Sequence, residues 1–236
     1  ALSAIFWRNL LGTILSGALW RANGPVRWPS RAAWRVHLLR GGIVTVMAVL
    51  FFWGLTVLPI AEAIGISFIA PVLALYLAAV LLGERVGREA IWASLLGLAG
   101  MALMVGDRLT GHYSPQSALV VAAILLSALA FAYNLILARR QAQLADPGEI
   151  ACVQSGLVAL FLLPLMPVFG QMPTLAIAPW IAAAAVLATV SLLCMSWAYA
   201  RAEAQALIPV EYSGFVWAAL FGWLFFGEGL RWTTLA

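Results

Sequence analysis

Residues 61–84 read AEAIGISFIAPVLALYLAAVLLGE, an apolar stretch with a glutamate near its start and another at its end. Residues 202–228 read AEAQALIPVEYSGFVWAALFGWLFFGE and carry the same Ala-Glu-Ala and Gly-Glu motifs. The two glutamates of each stretch are 22 and 25 residues apart (84 − 62 and 228 − 203). These spacings correspond to about 33 and 37 Å of α-helix, close to one bilayer thickness. Each stretch therefore predicts one membrane-spanning helix, and the pair indicates an internal repeat.

The rest of the chain has the same apolar character. Of its 236 residues, 64% are hydrophobic and 9% are charged, whereas a soluble domain carries about 25% charged residues. A surface with so few charges has to face lipid rather than water. The sequence thus predicts an all-α polytopic membrane protein with eight transmembrane helices, each formed by an apolar block of about 20 residues. The blocks lie at roughly 3–20, 36–58, 60–82, 90–106, 118–138, 149–169, 177–199 and 204–226.

All 13 cationic residues are arginines, and their distribution predicts the orientation of the chain. If each block crosses the membrane once, the loops after blocks one, three, five and seven share one side. Arg108 and Arg231 fall on the other side. The shared side holds ten: Arg21, Arg27, Arg31, Arg35, Arg40, Arg85, Arg88, Arg139, Arg140 and Arg201. Because arginine-rich loops stay in the cytoplasm, we expect a multi-pass protein of the cell (inner) membrane with residues 21–35 and 139–148 inside.

The two repeated stretches point in opposite directions across the membrane. By the loop count, block 60–82 runs from outside to inside, whereas block 204–226 runs from inside to outside. Inverted repeats of this kind are typical of secondary transporters, which bind their substrate near the midplane of the bilayer where the repeats meet.

Four stretches, together with the helix pattern, resemble the EamA-like branch of the drug/metabolite transporter superfamily. They are Phe6-Trp7-Arg8-Asn9, Leu58 to Ala63, Pro71 to Arg85, and Pro209 to Glu228. The resemblance implies ten helices in two inverted five-helix repeats, both termini in the cytoplasm, a central cavity and transport by alternating access. On this plan, residues 1–107 form the first repeat without its first helix, and residues 115–236 form the second repeat without its last helix.

Charged groups inside a bilayer are costly and often mark functional sites. By helix length, Arg8 lies about 20 Å and Glu211 about 15 Å from the inner boundary, and they belong to opposite halves of the repeat. We expect both to face a common central cavity and to bind substrate or couple its transport, with Tyr212, Asn134 and Asn9 as further polar groups. A structural hydrogen bond between helices is the alternative for Glu211 and for the asparagines.

The four glutamates of the repeated motifs are expected at helix ends. Glu62 and Glu203 lie in a first helical turn, where a carboxylate complements the helix dipole. Glu84 and Glu228 follow a last turn, where the dipole disfavours them, so we expect nearby arginines as their partners. For Glu84 and Glu228, a gate or a turn clasp is favoured over contact with the substrate.

The sequence carries no motif for other chemistry. It has no Gly-rich phosphate loop, nucleophile elbow or metal-ligand spacing, so we expect no cofactor, no metal and no enzyme activity. The leading interpretation is a secondary transporter, an exporter or exchanger of a small polar metabolite. Its expected partners are the lipid bilayer and a small-molecule substrate, without nucleic acid, and a homodimer is left open. A membrane-embedded enzyme acting on lipid-linked substrates and a non-transporting helical scaffold subunit are the alternatives.

Overall fold

The computed structural model describes residues 2–26, 28–58, 63, 66–67, 69–106, 115–213, 217 and 224. These residues form helices and their connections and contain no strand. The principal helices are α1 (Leu2–Ala22), α2 (Arg31–Gly54), α3 (Ala70–Leu77), α4 (Arg88–Gly106), α5 (Pro115–Ala142), α6 (Pro147–Leu162), α7 (Ala178–Arg201) and α8 (Ala204–Leu207).

Several of these helices are long and apolar enough to cross a membrane. Among the described residues there are five such spans, and Ala70–Leu82 is a shorter apolar helix. The five are Leu2–Ala22, Arg31–Gly54, Leu119–Ala142, Pro147–Val168 and Ala178–Arg201. They match the predicted blocks one, two, five, six and seven, so the chain is an all-helical, multi-pass membrane protein. The other three blocks include side chains or backbone outside the described part, and the total of eight spans stays a prediction.

Proline sets where one predicted block breaks. The block at 149–169 is not one uniform helix, because α6 ends at Leu162 and a 3₁₀ turn, Leu163–Leu165, follows it. A last helical turn, Met166–Phe169, completes the span. Pro164 and Pro167 lie in these two turns, and proline cannot donate the backbone hydrogen bond that a continuous α-helix requires.

The Gly-Glu motif after α3 has a conformational reason. α3 continues as one π-helical turn, Ala78–Leu82, and ends at Gly83, whose φ of 70° lies in the left-handed region. Glycine adopts this conformation without the steric cost that a Cβ atom would add. The Gly83 N–H donates to the Ala78 carbonyl, which closes the last turn. Gly83 thus ends the helix and redirects the chain at Glu84.

The chain divides into two compact units, each drawn from both halves of the sequence. The first unit contains residues 1–52 and 137–202, and the second contains residues 53–136 and 203–236. In the first unit α1, α6 and α7 pack together. In the second unit α3 packs against α4, and both contact the 3₁₀ segment Ile208–Tyr212.

Small residues let α1 approach its neighbours closely in the first unit. A Cβ atom at Gly12 would lie 3.4 Å from Ser155 Oγ and 3.6 Å from Thr189 Oγ1. At Gly17 it would lie 3.3 Å from Cys152 Sγ. Close backbone approach through small residues is a common means of holding membrane helices together, because lipid offers no hydrophobic drive for their association.

The connections within the first unit agree with the expectation that successive loops alternate between the two sides of the membrane. At one end, Trp20 lies against Gly148, where an added Cβ atom would be 3.1 Å from the indole. At the other end, Trp7 Nε1 donates to the Gln171 carbonyl at 3.0 Å, and the Gln171 N–H donates to Ser3 Oγ at 2.7 Å. The connections after blocks one and five therefore meet at one end of this unit, and the start of the chain meets the connection after block six at the other.

Two adjacent glycines in α2 provide a matched test of this packing. A Cβ atom at Gly41 would lie 3.0 Å from Leu157 Cβ, whereas one at Gly42 would meet nothing within 4 Å. We expect Gly41→Val to lower the free energy of unfolding by about 1–3 kcal/mol through overpacking, and Gly42→Val to change it much less. Thermal unfolding of both variants in detergent measures this difference, and equal losses would contradict the α2–α6 packing.

Candidate functional site

Arg8, the cation expected at the substrate site, lies in the membrane-spanning helix α1. Its side chain is half-buried, and its Nε atom is buried without a hydrogen-bond partner among the described residues. A buried guanidinium nitrogen without a partner is costly in any low-dielectric surrounding. Arg8 therefore has unused capacity to donate to a ligand.

A second unsatisfied polar group lies on α6 in the same unit. The Gln154 side chain is 4% exposed, and within the described part of the chain neither its oxygen nor its nitrogen has a hydrogen-bond partner. Buried amides are normally satisfied by protein or by ordered water. Together with Arg8, Gln154 gives the first unit two polar groups that can contact a polar solute.

The two expected asparagines are both buried. Asn9 donates from Nδ2 to the Ile5 carbonyl of its own helix at 2.8 Å, so this amide hydrogen serves α1 itself. Asn134 lies on α5 in the second unit and is 7% exposed. Glu211 and Tyr212 lie in the 3₁₀ segment Ile208–Tyr212 of the second unit, and their side chains fall outside the described part. The expected meeting of Arg8 with Glu211 therefore stays a prediction.

Glu84 makes a defined contact at the second repeated motif. Its Oε1 accepts from the backbone N–H of Ala204 and its Oε2 accepts from that of Gln205, each at 3.0 Å. These are the first N–H groups of α8, which lack partners inside their own helix. The carboxylate also complements the positive end of the helix dipole. Glu84 thus caps the helix that begins after the second Ala-Glu-Ala motif.

The neighbouring contacts extend this connection. The Gly87 N–H donates to Gln205 Oε1 at 2.8 Å, and the side-chain amide of Gln205 donates to Glu203, which is exposed. The connection after block three and the start of block eight therefore meet in the second unit, as the predicted alternation of loops requires. Glu62 and Glu228, the remaining glutamates of the motifs, lie outside the described residues.

A buried polar cluster that sequence reasoning missed joins α2, α5 and α6 in the first unit. His37 Nε2 and Glu149 Oε1 are 3.0 Å apart. Gln141 Nε2 is hydrogen-bonded to His37 Nδ1, and Arg40 Nη1 donates to Gln141 Oε1. His37 and Gln141 are 0% exposed and Arg40 and Glu149 are 8% exposed. We call these four residues the polar relay.

The relay changes the interpretation of two residues. Arg40 was counted among the loop cations that set orientation, but it lies buried within α2 rather than on a loop. His37 looked isolated in sequence, because its partners are more than 100 positions away. The available signal was that His37, Gln141 and Glu149 are polar residues near block ends predicted to share one side. Within the described residues no group of three or more His, Cys, Asp or Glu side chains can hold a metal ion.

Comparison with known proteins places the chain in a family. A model of the EamA-like transporter family matches residues 1–106 and 118–236, nearly the whole sequence. The chain belongs to the EamA-like transporter family.

Relatives found by sequence comparison are named as transporters. The pseudopaline exporter CntI of Pseudomonas aeruginosa is 27% identical over 231 residues, which cover 97% of this chain and 78% of that protein. A probable terminal-alkyne amino-acid exporter of Streptantibioticus cattleyicolor is 32% identical over 200 residues, covering 81% of this chain and 65% of that protein. A solved crystal structure shares the fold with a TM-score of 0.84 at 19% identity, over 99% of this chain and 82% of that one.

The Glu84 cap generates a stability prediction. Glu84→Ala removes both acceptors of the Ala204 and Gln205 N–H groups, and Glu84→Gln leaves one oxygen that can accept. We expect Glu84→Ala to reduce stability by about 1–2 kcal/mol, the range for an N-terminal cap, with Glu84→Gln in between. Hydrogen exchange of the two backbone amides should accelerate in the same order.

The control for this prediction is Glu203→Gln, which changes an exposed carboxylate next to the same helix start. We expect it to leave exchange at Ala204 and Gln205 nearly unchanged. Similar acceleration in Glu203→Gln and Glu84→Ala would mean that Glu84 does not cap this helix.

Proposed function

We propose that this chain is a secondary transporter that exports or exchanges a small polar metabolite bearing a carboxylate, by alternating access. The observation that carries the proposal is Arg8, a cation in a membrane-spanning helix with a buried nitrogen that has no partner among the described residues. Arginine donates in a planar fork that matches a carboxylate. A substrate carboxylate would therefore satisfy Arg8 while it crosses the bilayer.

The names of the relatives support the substrate class. One is a probable terminal-alkyne amino-acid exporter and another is a pseudopaline exporter. Amino acids carry a carboxylate for Arg8 to bind. The described residues offer few other cations at comparable depth, since Arg40 is engaged with Gln141. Glu211, Tyr212, Asn134 and Asn9 are proposed to complete the substrate-binding or coupling group.

The architecture we propose is an inverted five-plus-five repeat from which this chain contributes eight transmembrane helices. Its two parts would be residues 1–107 and 115–236. The family match supports this division, because it falls in two segments separated near residue 110. The Glu84 contact with α8 supports it as well, because it links the Gly-Glu motif of one repeat to the Ala-Glu-Ala motif of the other. Glu62, Glu84, Glu203 and Glu228 are then helix-end or gate residues.

The membrane in which the protein lies follows from the same reasoning. The arginine-rich loops and the bacterial exporters among the relatives favour the inner membrane. The family and its named relatives are transporters, so we propose transport without catalysis and without a cofactor. We propose the lipid bilayer and a small molecule as the partners of this chain, without nucleic acid. Size measurements in detergent would test whether it forms a homodimer.

Transport in liposomes tests the proposal. The full-length protein is reconstituted, and exchange is measured with a set of radiolabelled amino acids and with the amines obtained by removing their carboxylates. We expect exchange of at least one amino acid but not of its amine. Arg8→Gln should slow that exchange by about tenfold to hundredfold, because a charge-assisted hydrogen bond is worth about 1.5–3 kcal/mol.

Arg31→Gln is the matched control, since Arg31 lies exposed at the start of α2. It should exchange amino acids at the wild-type rate. Equal exchange of an amino acid and its amine, or an unchanged rate in Arg8→Gln, would contradict the role of Arg8.

A further inference from the structure

The polar relay is a one-way chain of hydrogen bonds. Arginine has donors and no acceptor, so the atom of Gln141 that faces Arg40 has to be its oxygen. The amide nitrogen of Gln141 then donates to His37 Nδ1. An accepting Nδ1 carries no hydrogen, so the hydrogen of the neutral ring lies on Nε2 and is donated to Glu149 Oε1 at 3.0 Å. Every donor in the relay points from Arg40 toward Glu149.

This direction fixes what a proton can do at His37. Protonation of Nδ1 places two donors face to face, the new N–H of the ring and the amide nitrogen of Gln141. The conflict is removed when the Gln141 amide rotates by half a turn, so that its oxygen accepts from Nδ1. The same rotation presents the amide nitrogen to Arg40, which also only donates. A proton on His37 therefore breaks the hydrogen bond between Arg40 and Gln141.

The described residues around the relay are an aromatic ring and charged or polar side chains from the neighbouring helices. Trp34 on α2 packs edge-on against the imidazole, with ring centroids 6.1 Å apart and planes at 78°. Glu149 faces the opposite nitrogen from α6, Tyr199 on α7 interacts electrostatically with Arg40, and Arg139 on α5 donates to the Tyr199 carbonyl. These are the titratable and charged groups that the described residues place around the relay.

We propose that the polar relay is a proton-binding switch, in which uptake of one proton from water at His37 Nδ1 turns the Gln141 amide and breaks its hydrogen bond with Arg40. The N–H bond at Nδ1 is the bond that forms, and the Arg40–Gln141 hydrogen bond is the interaction lost. The proposal deepens the proposed transporter and rests on it for its use, because proton uptake that rearranges the hydrogen bonds between α2 and α5 at one end of the first unit gives transport a coupling ion. The relay residues differ from those proposed to bind the substrate.

The first test needs no substrate. Protein labelled with ¹⁵N-histidine is placed in lipid nanodiscs, and the His37 ring nitrogens are followed by NMR as the pH is lowered, with His112→Gln used to assign the two histidines. We expect the neutral Nε2–H tautomer near neutral pH and the doubly protonated ring at lower pH. The Gln141→Glu variant supplies an acceptor to both neighbours, so its His37 should already be doubly protonated where the wild-type ring is neutral.

The Nδ1–H tautomer in the wild-type protein, or a Gln141→Glu ring that titrates with the wild-type ring, would overturn the switch. Because this readout uses the protein without substrate, it decides the proposal even if no amino acid is transported.

The second test measures coupling. Exchange of the radiolabelled amino-acid set is recorded against pH for wild type, His37→Gln and His112→Gln. One obligatory proton changes the wild-type rate by up to about tenfold per pH unit. We expect His37→Gln to reduce this change to less than about twofold and His112→Gln to keep it. Retention of the wild-type pH dependence in His37→Gln, or an equal loss of it in His112→Gln, would contradict the assignment to His37.

Discussion

The hydrogen bonds that link Arg40 to Glu149 offset the cost of burying charged side chains among membrane helices, and the packing of the first unit depends on this. A positive and a negative side chain, each 8% exposed, are joined through the neutral side chains of Gln141 and His37. Neither charge could be buried alone without a large desolvation penalty. Because the four residues come from α2, α5 and α6, satisfying these charges also fixes the end of the first unit at which the three helices meet.

In the second unit, one carboxylate satisfies the backbone N–H groups at the start of a helix. Gly83 ends the helix with a left-handed turn, and Glu84 then satisfies two backbone N–H groups at the start of α8. An unsatisfied helix end is costly where water is scarce. The repeated Gly-Glu motif thus combines a backbone requirement with a capping requirement, which explains why the two residues stand side by side at the end of an apolar stretch.

Hydropathy predicted the helical class and five of the spans, because a bilayer demands about 20 apolar residues whatever the tertiary contacts. The interruption of the helix after α6 was harder to predict. Pro164 and Pro167 were visible in the sequence, but apolar composition alone did not separate α6 from the turns that follow. The contact of Glu84 with the start of α8 was not predicted, because that helix start is 120 positions away and its proximity depends on the fold. An arginine partner for Glu84 stays a prediction. The polar relay was missed for the same reason, since His37 and Glu149 are 112 positions apart. Arg8 was singled out from the sequence because the cost of a charge depends on its depth in the membrane, and its role at a substrate site stays a prediction.

We predict that Arg40 and Glu149 stabilise the protein as a pair and not as separate residues. A double-mutant cycle with Arg40→Met and Glu149→Gln measures this directly, through the free energy of unfolding of the purified protein in bicelles. Each single substitution removes one of the two opposite charges from the relay and should cost about 3–5 kcal/mol. The double variant should cost less than the sum of the two by about 1–3 kcal/mol, the coupling expected within one hydrogen-bonded network. Additive losses would show that the two charges do not sense each other through Gln141 and His37, and would contradict the relay.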